Sequence, residues 1–160
     1  MSLPPFQRFL DIQAPHVHRF LVAAVGPVEA DDCFQETFLS ALRAYPRLRH
    51  GTNLKAWVLT IAHRKAVDAY RSRGRRAVPT ASVPDRATTA ASHSSASVDG
   101  DPALWAAVRA LPPKQRDALA LRYLNDLAYV DIAAVLDCSQ EAARRNVHEG
   151  VKKLRQEWRQ

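Results

Sequence analysis

Apolar side chains recur at three- and four-residue steps through most of the chain, the period of an α-helix with one buried face. The stretch 54–76 shows it best: Leu54, Trp57, Val58, Ile61, Ala62, Ala66 and Ala69 form one stripe. Asn53 is placed to cap its start, and Gly74 to stop it. Residues 29–45 repeat the pattern. Ala30, Cys33, Phe34, Thr37, Phe38, Ala41, Leu42 and Tyr45 fall on the inner face, and Asp32, Gln35, Glu36, Leu39 and Arg43 on the outer one. Glu29, Asp31 and Asp32 suit the positive end of that helix. Residues 1–25 place Phe6, Phe9, Leu10, Val17, Phe20, Leu21 and Ala24 at helical spacing. Pro15 is expected to kink or split this segment, and Gly26-Pro27 to end it. Residues 1–76 therefore read as a three- to four-helix bundle.

Residues 77–101 differ in kind. Ala, Ser, Thr, Pro and Asp dominate, with no aromatic and no apolar period, so the segment reads as a flexible linker. Fully extended, it reaches about 85 Å. Residues 102–160 return to helical periods. Asp101 can cap a first helix with Pro102 in its first turn and Leu104, Trp105, Val108 and Leu111 inward. Pro112-Pro113 restarts the chain into a helix with Ala118, Leu119, Leu121, Tyr123 and Leu124 inward. A short helix over 130–136 buries Ile132, Ala133, Val135 and Leu136. Asp137-Cys138 makes a tight turn, and Ser139 caps a long helix with Ala143, Val147, Val151, Leu154 and Trp158 inward. Gln140, Glu141, Arg144, Arg145, His148, Lys152 and Arg155 face outward. A short helix, a tight turn and a longer basic helix form a helix-turn-helix pattern, although an ordinary helical hairpin fits the same spacing. The fold class is all-α: two small helical domains joined by the linker.

Charge adds a partner class. The 160 residues carry +7, and the pI is near 9.9. Twelve Lys/Arg against six Asp/Glu fall in 1–76. His63, Arg64, Lys65, Arg71, Arg73, Arg75 and Arg76 crowd one half of the 54–76 helix, more cation than its dipole needs. Tyr70 stands among them, available to stack on a base. A polyanion, nucleic acid or an anionic membrane, is the implied partner. A membrane role is disfavoured because the basic faces lack a broad apolar stripe. No apolar run nears 18 residues, and no signal peptide is read at the N-terminus. Cys33 and Cys138 are read as reduced thiols of a cytosolic protein, though sequence alone leaves a disulfide between them open. The six histidines are scattered, the five glycines form no phosphate loop, and no Cys/His cluster reaches four ligands. An enzyme, a metal site and a cofactor are therefore not expected.

The stretches DDCFQETFLSALRAY, WVLTIAHRKAVDAYRSRGRR and LPPKQRDALALRYLNDLAYVDIAAVLDCSQEAARRNVHEGVKKLR together resemble an extracytoplasmic-function (ECF) RNA polymerase sigma factor of the sigma-70 family. The resemblance implies sigma region 2 in 1–76 and region 4 in 102–160. Asp32, Gln35 and Glu36 match the family's Asp-x-x-Gln-Glu segment, and with Leu39 they would dock on the β′ subunit of core polymerase, which also contacts the factor through β. The loop 47–53, with Arg47, Arg49 and Asn53, matches the loop that captures a flipped base of the −10 element. Trp57, Ile61 and Ala62 match the W-x-x-x-I-A core, and Asp68 and Arg71 the following D-x-x-R. His63, Arg64, Arg71 and Arg73 would lie along −10 DNA. Residues 139–155 match the helix that reads the −35 element, with Gln140, Arg144, Arg145, His148 and Lys152 toward promoter DNA.

The chain departs from the pattern at three places. It has Arg64 where Asn is common, Glu141-Ala142-Ala143 where Gly-Thr-Val is common, and Glu149 where Arg is frequent. The resemblance leaves room for an anti-sigma factor and implies a bacterial cytoplasmic protein. The competing reading is a free-standing helix-turn-helix regulator. It gives no reason for an acidic face over 31–36 beside the basic helix.

Overall fold

A computed structural model describes residues 3–76 and 101–158. The part of the expected linker at 77–100 lies outside the described residues, and so does the side chain of Arg76. Seven α-helices are described: α1 (Phe6–Val25), α2 (Pro27–Ala44), α3 (Leu54–Arg76), α4 (Pro102–Ala110), α5 (Pro113–Tyr123), α6 (Tyr129–Leu136) and α7 (Gln140–Trp158). A short 3-10 turn, Tyr45–Arg47, follows α2.

In the first half, α1, α2 and α3 pack against each other. Phe9, Val17, Phe20, Leu21, Phe38, Val58 and Leu59 are buried between them. Pro15 neither splits nor ends α1. Buried residues on both sides of it, Phe9 and Gln13 before and Val17 and Phe20 after, hold the helix together against one missing backbone hydrogen bond. Gly26, at φ +86°, makes the turn into Pro27 with a backbone that side-chain-bearing residues rarely adopt. Asn53 caps α3 as expected, its Oδ1 accepting from the Ala56 amide at 3.2 Å. Gly74 does not stop α3, which continues through it to Arg76. Leu42 also departs from expectation. It is 50% exposed, on the outer side of α2 with Leu39.

In the second half, α5 and α7 pack closely, with α6 across them. Asp101 caps α4 and Ser139 caps α7, each accepting from an amide of the first turn. Gly150 lies against α5. A Cβ there would stand 3.2 Å from Leu119 Cδ1 and 3.4 Å from the Gln115 carbonyl, so the two helices approach closely and a larger residue would require Leu119 to shift. Leu104, Tyr123 and Trp158, expected inward, are exposed. The last two lie at or near the ends of α5 and α7, where the period continues but no neighbour remains to cover it.

The halves also pack on each other, α1 against α4 and α5, and α3 against α6. Buried apolar side chains form one cluster across both. The junction is polar as well. Asn125 Nδ2 donates to the His16 carbonyl at 2.9 Å, and Arg116 and Asp117, both buried, meet Tyr70 and His63. His16 Nδ1, Arg116 Nη2 and Asn125 Oδ1 have no hydrogen-bond partner among the described residues. Each such buried atom costs about 1–3 kcal/mol.

Candidate nucleic-acid interface

The outward face of α2 is formed as the 3.6-residue period requires. Asp32, Gln35, Glu36 and Arg43 are exposed, and Leu39 is 55% exposed. Glu29, Asp32 and Glu36 border a groove of about 410 Å³ whose far wall is Lys65, Asp68 and Arg73 of α3. At its floor Cys33 is buried, its thiol directed at the Lys65 carbonyl 3.9 Å away. Burial, with Glu36, Glu29 and Asp32 nearby, pushes the Cys33 pKa up to about 11. At pH 8 only about one thiol in a thousand is then the reactive thiolate. Iodoacetamide should therefore label partly exposed Cys138 first and leave Cys33 intact until the protein is unfolded. Mass spectrometry of timed samples checks this. Both thiols are free, with no disulfide.

The basic residues of α3 are not equivalent. Arg64, Arg71 and Arg75 are exposed, as are Arg47 and Arg49 in the preceding loop. Arg73 is engaged: its guanidinium pairs with Glu29 of α2 and donates to the Val25 carbonyl at 3.2 Å, tying α3 to the α1–α2 turn. His63 faces the second half, its Nε2 3.4 Å from Asp117 Oδ2, and its side chain is only 17% exposed. Asn53 is exposed, with its side chain spent on the helix cap. Tyr70, expected to offer a ring to a base, instead donates its hydroxyl to Asp117 Oδ2 at 3.3 Å and carries Arg116 over its ring at 5.0 Å. Burial first, then the Asp117 charge, pushes the Tyr70 pKa up to about 12. Arg116 also donates to Asp117 Oδ1 at 3.0 Å. Sequence reading had overlooked this buried pair. A signal was present, because Asp117 lies four residues before Leu121, a position the period places inward.

The turn between α6 and α7 is a helix-turn-helix connection. Asp137 takes the left-handed conformation at φ 54°, and the Cys138 amide returns to the Ala133 carbonyl at 3.0 Å. Ala143 and Val147 anchor α7 inward, so Gln140, Arg144, Arg145, His148 and Lys152 all stand exposed on its other side. Sequence reading also missed Tyr129. Its ring lies between the guanidinium groups of Arg122, at 4.5 Å, and Arg144, at 5.1 Å. Arg122 in turn donates to the Leu127 carbonyl at 3.0 Å. Arg144 is thus held by a supported ring, at the edge of a groove of about 510 Å³ that His148, Lys152 and Arg155 also line. Among the described residues no three His, Cys, Asp or Glu side chains gather as a metal site, and no helix is long and apolar enough to cross a membrane.

An exposed helix-turn-helix beside a basic α3 defines a DNA-binding protein. Family comparison gives the same class. Residues 12–76 match the Sigma-70 region 2 model and residues 102–154 the Sigma-70 region 4 model. The chain is 33% identical to the RNA polymerase sigma factor CarQ of Myxococcus xanthus, over 94% of this chain and 87% of CarQ. It is also 33% identical to the ECF RNA polymerase sigma factor SigD of Mycobacterium tuberculosis, over 92% of this chain and 74% of SigD. The fold resembles that of the sigma factor RpoE of Bartonella quintana, solved with the anti-sigma factor NepR. The TM-score is 0.77 at 24% identity, covering 94% of each chain. The chain belongs to the ECF sigma factors of the sigma-70 family and is a factor for transcription initiation.

Proposed function

We propose that the outward face of α2, with Asp32, Gln35, Glu36 and Leu39, docks on the β′ subunit of core RNA polymerase, and that the second half meets β. The loop 47–53 and α3, through Arg47, Arg49, Asn53, His63, Arg64, Arg71 and Arg73, take the −10 element. The outer side of α7, through Gln140, Arg144, Arg145, His148 and Lys152, takes the −35 element. Domain limits follow as 1–76 and 102–160 on either side of the linker 77–101. The chain acts in the bacterial cytoplasm and uses no catalytic group, metal or cofactor of its own. Trapping unpaired bases in a protein pocket offsets the few kcal/mol of unstacking that melting costs. An anti-sigma factor is a further partner that this reading admits.

The observation that carries the reading is charge segregation within one packed three-helix unit. Exposed acids beside Leu39 on α2 suit a basic protein partner, and exposed arginines on α3 suit phosphate. A free-standing regulator has no use for the first of these faces. The test is reconstitution: purified chain and bacterial core polymerase are mixed, and selected promoter fragments are transcribed. Co-elution with core and promoter-dependent RNA is the expected result. Binding to DNA alone, with no association with core, would reject it.

A further inference from the structure

α3 continues past Gly74 to Arg76, although glycine is among the weakest helix formers. Nothing packs on it there, since no described neighbour lies within 4 Å of where a Gly74 Cβ would stand. The last turn thus has neither propensity nor packing at this point. One residue earlier, Arg73 makes bonds to both of the other helices of its half. Its Nε donates to Glu29 Oε1 at 2.9 Å, and its Nη2 donates to the same oxygen and, at 3.2 Å, to the Val25 carbonyl. Val25 is the last residue of α1, so its carbonyl has no acceptor role within its own helix, and Glu29 lies in the first turn of α2. The guanidinium therefore sits where the negative end of one helix meets an acid of the next. A surface ion pair alone contributes little, but this planar fork also serves the backbone carbonyl of a buried residue.

Arg64, Arg71 and Arg75 are exposed and recur at steps of seven and four, which makes one stripe of α3 about 16 Å long. Arg73 is two residues from both Arg71 and Arg75, so it lies on the opposite side of the helix. Arg75 follows Gly74. It shares the stripe only while the helix passes through the glycine. We propose that Arg73 is a positioning residue for −10 DNA: it staples the end of α3 to the α1–α2 turn and so holds Arg75 in line with Arg64 and Arg71, without touching the nucleic acid itself. This rests on the reading of α3 as a nucleic-acid face and gives Arg73 an indirect part in it. The staple also explains why a helix with a glycine near its end does not fray there.

The test uses the full chain, free and joined to core polymerase. Arg73→Gln removes the fork at equal helix propensity. Glu29→Gln breaks the staple from the other end and leaves Arg73 in place. Hydrogen exchange read by mass spectrometry follows the amides of 73–76 in the free chain. Titration of a selected promoter fragment at several salt concentrations reads DNA binding. The complex with core is purified before that titration, so docking does not enter. Both variants should quicken exchange at 73–76. Both should weaken promoter binding by about five- to tenfold at about 0.1 M salt and lower the salt slope by about one unit, the effect of one lost phosphate contact. The two roles for Arg73 part at Glu29→Gln. An Arg73 that touched DNA would be freed by that change, and binding would tighten. Gly74→Ala adds a second discriminator, because it favours the helix and meets no neighbour. Combined with Arg73→Gln, it should restore both protection and affinity, which it could not do for a lost contact. Arg75→Ala should weaken binding in the wild-type chain and cost nothing further beside Arg73→Gln. The staple is overturned if Glu29→Gln tightens binding, if exchange at 73–76 is unchanged in both variants, if exchange quickens with no loss of affinity, or if Gly74→Ala restores neither. Arg64→Ala with Arg71→Ala tests the face itself. Unchanged promoter binding there would reject the nucleic-acid reading of α3, an outcome separate from failure of the staple.

Discussion

Exchanging Asp32 for Arg together with Gln35 for Ala will raise the dissociation constant for core polymerase by about 30- to 1000-fold, the effect of losing about 2–4 kcal/mol at a central interface contact. Both side chains are exposed on α2, one turn apart and next to the exposed Leu39 and Leu42. A reversed charge there meets a basic partner with repulsion where attraction stood. The fold will not notice the change much, because neither side chain is buried or makes a hydrogen bond in the core. Substitutions at such positions stay within about 0.5 kcal/mol. Titration of labelled chain with core enzyme, alongside a thermal melt, separates the two effects. Undiminished affinity would place the docking surface on another face.

Arg145→Ala will cost about 1–3 kcal/mol of discrimination at one base pair of the −35 element. Lys152→Ala will weaken binding about equally on promoter and scrambled DNA, and lower the salt slope by about one unit. The difference follows from position. Arg145 stands in the N-terminal half of α7, which a helix-turn-helix inserts in the major groove. Lys152 stands two turns further on, where the helix leaves the groove. Arg144, held against Tyr129, is more pre-organised than either, so replacing Tyr129 with Ala should impair it while Phe should not. Binding curves on both DNAs at several salt concentrations decide the matter. Equal shifts on both DNAs for Arg145→Ala would reduce α7 to an electrostatic contact.

What could be read from sequence was whatever a helix fixes within a few residues of itself. Asn53, Asp101 and Ser139 announce their caps because the bonds they make span two or three positions. The outward faces of α2 and α7 follow from the same period. Pro15 and Gly74 misled because a local preference of a few kcal/mol yields when flanking residues pack well or the helix end is exposed. Tyr123 and Trp158 misled because a period says which side a residue is on, not whether anything covers it, and Leu42 because it sits at the margin of its stripe and falls on the outer side with Leu39. The engagement of His63 and Tyr70 was beyond the pattern altogether. Their partner Asp117 is 47 residues from Tyr70, and only the docking of the halves brings it near.

The Asn125–His16 bond joins residues 109 positions apart, whereas each half is assembled from neighbouring helices. Loop closure over such a distance is slow relative to helix packing, so docking should be a late, separate event in folding. Amide protons would then exchange in two classes. Those deep within α1–α3 or α5–α7 would wait for a half to unfold. Those protected only by the junction would exchange whenever the halves part, and their rate would measure how often the molecule opens.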